Sequence, residues 1–173
     1  MKKFAILILV TFLFACQTSK YETINTIENE SLPKQQNNTS LIIGAVESVY
    51  IPPFEISFQA RIDTGAETSS IDAQNITPFE RDGEKWVAFD ITNKKTTQKY
   101  HFEKPIVRKT NIVRTFQEEK RYVVHFYVKM GEEIIDTEFT LNDRSKFEYQ
   151  VLIGRNILNG RFIIDPSIEN TLH

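Results

Sequence analysis

Apolar residues along this chain fall into short blocks, most of them with a period of two. Leu41 to Val49 is aliphatic and β-branched and stops at Pro52-Pro53, which reads as a strand ended by residues unable to donate to a ladder. Ile56, Phe58, Ala60 and Ile62 alternate with Ser57, Gln59 and Arg61, the pattern of a strand buried on one face. Asp82-Gly83 marks a tight turn, and Val87, Phe89 and Ile91 alternate after it. Tyr122 to Val128 is apolar apart from His125, which predicts a strand covered on both faces. Met130-Gly131 makes a second hairpin turn into Ile134 to Leu141, and Val151-Leu152-Ile153 and Arg161 to Ile164 complete the series, the last stopped by Asp165-Pro166. Asn156 to Asn159, with Gly160 behind it, has the pattern of a helical turn with a glycine stop. The expectation is an all-β fold, a small closed or partly open barrel with one short helical turn near its C-terminal end.

The first 40 residues break this pattern. Met1-Lys2-Lys3 is followed by an almost unbroken apolar run from Phe4 to Phe14, too short to span a bilayer and typical of a secretory signal. Gln17 to Ser40 is rich in Thr, Asn, Gln, Glu and Ser, so it buries too little apolar surface to offset its ordering entropy and reads as a tether. The expected organisation is an address over 1–15, a tether over 16–40, a folded domain over 41–168 and a tail over 169–173. Leu13-Phe14-Ala15-Cys16 resembles the lipobox of bacterial lipoproteins. That resemblance implies cleavage before Cys16, lipid attachment at Cys16 and a membrane-anchored protein of the bacterial cell envelope, facing the periplasm or in the outer membrane. The plainer alternative is an ordinary signal peptide that contains a cysteine.

Composition narrows the function classes. At 173 residues the chain allows one ordinary domain. With 21 Lys plus Arg against 23 Asp plus Glu, it lacks the basic excess of a nucleic-acid binder. One cysteine rules out a disulfide framework within the chain. No GxxxxGK[ST], GxGxxG or HExxH occurs, and His101, His125 and His173 have no ligand-like spacing, so neither a metal nor a cofactor is expected. His125 reads as a strand histidine with a local partner.

The candidate chemistry lies in two motifs. The strand ending at Ile62 runs into Asp63-Thr64-Gly65-Ala66, and far downstream comes Val151-Leu152-Ile153-Gly154-Arg155-Asn156-Ile157-Leu158. Taken alone, Asp63 is equally a turn aspartate capping its own loop. In this order, however, the two motifs resemble those of retropepsins, the retroviral-type aspartic proteases. A closer resemblance is to a bacterial family labelled ATP-dependent zinc proteases and regarded as retropepsin-like. It is carried by Ile43-Gly44-Ala45-Val46-Glu47, Ala60 to Ala66, Phe79 to Gly83 with Trp86-Val87, Thr140 to Ser145, Leu152 to Arg155 and Ile164-Asp165-Pro166. The missing phosphate loop and HExxH favour the aspartic reading over both words of that label. Glu67, Ser70, Val107 to Thr110 and Tyr149 to Val151 depart from the family's usual residues, which bears on substrate preference.

The resemblance implies an endopeptidase in which two carboxylates share one proton. With one Asp-Thr-Gly per chain, the second carboxylate comes from a second copy, and Asp63 of each protomer meets its mate on a twofold axis. It further implies that Thr64 hydrogen-bonds across that axis, that Gly65 lies where substrate approaches, and that Ala66, Glu67 and Arg155 support the cleft, the last two as an ion pair. The bland alternative for Glu67 and Arg155 is two unrelated surface charges. The expected partners are a peptide or protein substrate, a second copy, and a membrane through the lipid. Asp143-Arg144 reads as a loop anchor and Arg121 as a rim residue rather than a reader of substrate acids. Hairpins at Asp82-Gly83 or between Lys94 and Tyr100 are the candidates to cover the cleft. The reading from a different class is a catalytically silent retropepsin-like module that binds a peptide or protein.

Overall fold

The structure, a computed structural model, describes residues 40–114 and 117–172. The proposed address and tether, with Cys16, lie outside the described residues. In chain order the strands are β1 (Leu41–Ile43), β2 (Val46–Val49), β3 (Phe58–Ile62), β4 (Ser69–Asp72), β5 (Gln74–Arg81), β6 (Glu84–Thr92), β7 (Lys99–Pro105), β8 (Arg108–Arg114), β9 (Gln117–Met130), β10 (Glu133–Asn142), β11 (Val151–Ile153) and β12 (Phe162–Ile164). A single helical turn, α1 (Arg155–Leu158), follows β11.

Seven strands form one sheet in the order β2-β3-β11-β4-β10-β9-β8, with a three-stranded sheet β5-β6-β7 and a parallel pair β1-β12 beside it. The large sheet curls until Tyr50, just past β2, forms a bridge with Lys129 of β9, N–H to carbonyl at 3.0 and 2.8 Å. The fold is therefore all-β and partly open, with one seam stitched and β8 left at the edge.

The alternation read from Phe58 to Ile62 is the observed burial, with Phe58, Ala60 and Ile62 inside and Gln59 and Arg61 outside. The strand expected from Leu41 to Val49 is instead two strands, broken at Gly44-Ala45. The cause is a close approach: a Cβ on Gly44 would stand 2.2 Å from the Ile168 carbonyl oxygen. The run from Tyr122 to Val128 is covered on both faces only at its start, where Val123 and Val124 are both buried. His125 and Tyr127 face solvent, Tyr127 at 62% exposure, because β9 pairs edge to edge with β8 and β10 while only its inner face meets the core.

That core contains a chain of aromatic rings. Phe89 and Phe102, on β6 and β7, stack at 5.5 Å; Phe102 meets Phe126 of β9 edge-on at 5.7 Å, and Phe126 meets Phe139 of β10 at 5.8 Å. These contacts fasten the three-stranded sheet onto the large one and add to the area they bury.

Residues 169–172, set apart as a tail by the sequence, are tied to the domain. Glu47 is fully buried, and its carboxylate accepts hydrogen bonds from Gly44 N–H, from Thr171 N–H and hydroxyl, and from Leu172 N–H. Leu172 is itself buried.

Candidate active site

The site begins where β3 ends. Asp63 N–H donates to the Ile153 carbonyl at 2.9 Å, so the parallel pairing of β3 with β11 sets the position from which the loop departs. The loop then folds back on its own aspartate: Asp63 Oδ1 accepts from Gly65 N–H at 2.9 Å and from Ala66 N–H at 3.2 Å. This is the turn geometry that Asp-x-Gly sequences favour. One carboxylate oxygen is thereby fixed by backbone donors, and the side chain remains half-buried.

The second motif supports the first by direct contact. A Cβ on Gly154 would lie 2.9 Å from the Thr68 carbonyl carbon and 3.0 Å from the Ala66 oxygen, a space only glycine fits. Arg155 N–H and Asn156 N–H donate to the carbonyls of Ala66 and Glu67. Asn156 Oδ1 accepts from Ser69 N–H and hydroxyl, while its Nδ2 donates to Thr137 Oγ1 and the Glu138 carbonyl. Ser69 Oγ in turn accepts from Gly154 N–H at 3.0 Å. These hydrogen bonds lock the start of β4, the first turn of α1 and β10 around the Asp63 loop.

Arg155 Nη1 donates to the carbonyls of Thr64 and Gly65 at 3.0 and 2.8 Å. The expected ion pair with Glu67 is not formed among the described residues; Glu67 is exposed and engages through its backbone. Arg155 instead caps the apex of the loop, where the two carbonyls converge on its guanidinium. Thr64 is exposed, and its hydroxyl has no hydrogen-bond partner among the described residues. The surface around the loop includes Arg61, Ile164 and Pro166 in an open cavity of about 570 Å³.

Beside the loop lies a more enclosed cavity of about 250 Å³, bounded by Ala66, Glu67 and Thr68 on one side and by Arg108, Arg121 and Arg144 on the other. Arg108 pairs with Glu138 at 2.8 Å and donates to Thr68 Oγ1 at 3.2 Å, which ties the base of β8 to the Asp63 loop. Arg144 donates through Nε to the Tyr149 carbonyl and stacks over the Phe147 ring at 4.6 Å. Its backbone N–H donates to Asp72, so the expected anchoring role is present together with a place on the cavity wall. Arg121 is not at the rim: it is 7% exposed within β9. The strands beside this cavity are β4, β8, β9, β10 and β11, whereas the Asp82-Gly83 turn and residues 94–100 line neither this cavity nor the one around Asp63. Arg61, Arg108 and the buried position of Arg121 were missed as site features because isolated arginines in strands carry no spacing signal.

His101 and His125 each bond a carboxylate, Asp90 at 2.7 Å and Asp136 at 3.0 Å. Asp90 also receives Asn75 Nδ2 and Lys99 Nζ; with His101, these donors hold its carboxyl far below the usual range.

Comparison with known proteins decides the family. Residues 42–172 match the model of the RimB-like family, described as "Retropepsin-like aspartic endopeptidase RimB". The chain belongs to the RimB-like family of retropepsin-like proteins. A crystal structure of a Legionella pneumophila protein of unknown function is 30% identical, superposes with a TM-score of 0.65, and is aligned over 77% of this chain and 98% of that one. Proteins named "Probable alpha-L-glutamate ligase" from Shewanella pealeana and Desulfotalea psychrophila are 36% and 34% identical, over 76% and 79% of this chain. The chain spans about 30% of the length of these curated relatives. The RimB-like match covers both halves of the site, the Asp63 loop and the Gly154–Asn156 support.

Proposed function

We propose that this RimB-like domain is an aspartic endopeptidase whose active site is completed by a second copy, and that its substrates carry acidic side chains. The observation that carries the catalytic half is the Asp63 turn: a carboxylate held by two backbone N–H groups at a strand end, in a loop clamped by the Gly154-Arg155-Asn156 segment. One such carboxylate per chain lacks the proton-sharing mate that the chemistry needs, and the exposed Thr64 beside it is available to a facing loop.

In the assembled dyad the two carboxylates share one proton, because like charges about 3 Å apart do not both ionise near neutral pH. The ionised carboxylate takes a proton from the attacking water while the protonated one donates to the scissile carbonyl oxygen. As the tetrahedral intermediate collapses, the proton passes to the leaving amine. The pair titrates as a unit.

The acidic preference rests on Arg108, Arg121 and Arg144 around the cavity adjoining the loop, since guanidinium groups match carboxylates in shape and charge. The names of the longer relatives, which refer to α-L-glutamate ligation, support the same chemistry. The reading extends to location, with lipid on Cys16 holding the domain at the bacterial envelope; Cys16→Ser should then move the protein from the membrane to the soluble fraction.

The test is peptide hydrolysis by the purified chain. Asp63→Asn is expected to lower cleavage by at least about 10²- to 10⁴-fold and leave the thermal midpoint nearly unchanged. Cleavage untouched by Asp63→Asn would overturn the aspartic mechanism.

A further inference from the structure

Arg61 stands two residues before Asp63, and Asp63 N–H continues the pairing of β3 with β11. The two side chains therefore leave the same side of the chain. They share two cavities. One, described above, runs toward Thr64, Ile164 and Pro166. The other, of about 580 Å³, is walled by Arg144, Phe147, Tyr149 and Leu152. Arg144 and Leu152 also line the enclosed cavity beside Ala66, so this second cavity joins the arginine cluster to Asp63.

Arg61 is exposed, and its guanidinium makes no hydrogen bond or ion pair among the described residues. Arg108 and Arg121, by contrast, are paired with Glu138 and Glu119. Glu148, on the wall of the same cavity as Arg61, hydrogen-bonds the Tyr149 hydroxyl. A guanidinium without a carboxylate of its own, placed beside the reacting aspartate, accepts an incoming carboxylate without first giving one up. Leu152 offers apolar contact to the methylenes that carry such a group.

Resting on the acidic-substrate reading above, we propose that Arg61 determines specificity at the cleaved bond itself, by reading the carboxylate of the residue next to that bond. The twofold axis of the assembled site passes between the two Asp63 side chains and sets one Arg61 on each side of the bond. The domain therefore cuts between two acidic residues, inside a run of acids, while Arg108, Arg121 and Arg144 act on residues farther along the substrate. The plain alternative is an arginine whose stem covers β3 and whose charge serves the surface. It predicts no dependence on what flanks the bond.

The experiment follows cleavage of the central bond of α-linked hexaglutamate by the full chain, read from the two trimers by mass spectrometry. Matched peptides carry Gln at the third, the fourth or both positions, at the two ends, or throughout. For wild type, Gln at either flanking position is expected to lower kcat/KM about ten- to thirtyfold, the worth of a charge-assisted hydrogen bond. Gln at both should lower it by about the product. Arg61→Gln should bring the Glu-to-Gln ratio at each flanking position close to one. Should that variant fail to fold or to cleave, Arg61→Lys supplies the measurement, since it keeps the charge but loses the fork; it should cut the ratio at least about threefold, and an unchanged ratio counts against the proposal. A ratio left at the wild-type level by Arg61→Gln overturns the proposal. So does a wild-type ratio already near one while Gln at the ends slows cleavage, and either result leaves the acidic reading standing. If wild type cuts hexaglutamate no better than hexaglutamine, the acidic reading falls and takes the proposal with it.

Discussion

Arg155 and Glu67 separate two ways of supporting an aspartate loop. Arg155 bonds the carbonyls of Thr64 and Gly65, whereas Glu67 has no ion-pair partner among the described residues. Arg155→Ala should therefore cost about 1–2 kcal/mol of stability, the worth of charge-assisted hydrogen bonds at a partly exposed site, and should lower kcat more than it raises KM. Glu67→Gln should stay within about 0.5 kcal/mol of wild type, as an exposed substitution without special contacts does. Urea unfolding of both variants checks the contrast, and a large loss in Glu67→Gln would restore the ion pair. At this scale the sequence is informative about identity and poor about pairing. The motif points to Arg155 as a support, but which acceptor the guanidinium meets depends on where the loop carbonyls converge. Gly154 is the legible extreme, because only a residue without Cβ fits against Thr68 and Ala66.

At the level of elements, period and turns carry the prediction well wherever one face is buried. The alternation from Phe58 to Ile62 and the turns at Asp82-Gly83 and Met130-Gly131 are all present in the fold. β4, β7 and β8 are less visible: Ser69–Asp72 has a single aliphatic residue and pairs with β10 and β11, distant in sequence, while Lys99–Pro105 and Arg108–Arg114 are rich in charge. The link between β2 and the C-terminal segment is illegible for the same reason. Burial works against the charge on Glu47, but Gly44 N–H, the Thr171 hydroxyl and the N–H groups of Leu172 and Thr171 outweigh it and keep its pKa below 4.5. A carboxyl depressed in the folded state contributes stability that is present above its unfolded pKa and is lost as pH falls through the folded value. Wild type should thus lose stability as the pH drops below about 4.5, with Asp90 contributing in the same direction. Glu47→Gln should be less stable at neutral pH by about 1–3 kcal/mol and show a shallower acid limb in unfolding titrations; an unchanged limb would refute the role given to Glu47. Asn156→Ala removes four side-chain hydrogen bonds joining β4, α1 and β10. It should destabilise by about 2–4 kcal/mol, read from the shift in denaturant midpoint at constant slope.

Across the whole molecule, the aromatic chain from Phe89 to Phe139 bonds the small sheet to the large one, so the site rests on one continuous core. Phe126→Ala, at the centre of that chain, should cost about 3–5 kcal/mol. The proposed active site is another matter, because a sound monomer presents one Asp63 and therefore half of the proposed dyad. The composite site is tested most directly by peptide cleavage followed as a function of wild-type concentration, with and without an excess of the Asp63→Asn chain. The account predicts that activity per chain rises with concentration until dimers saturate, and that added Asp63→Asn suppresses it by trapping wild-type chains in mixed dimers that carry one ionisable carboxylate. Activity per chain that is independent of concentration and indifferent to the Asp63→Asn chain would contradict it.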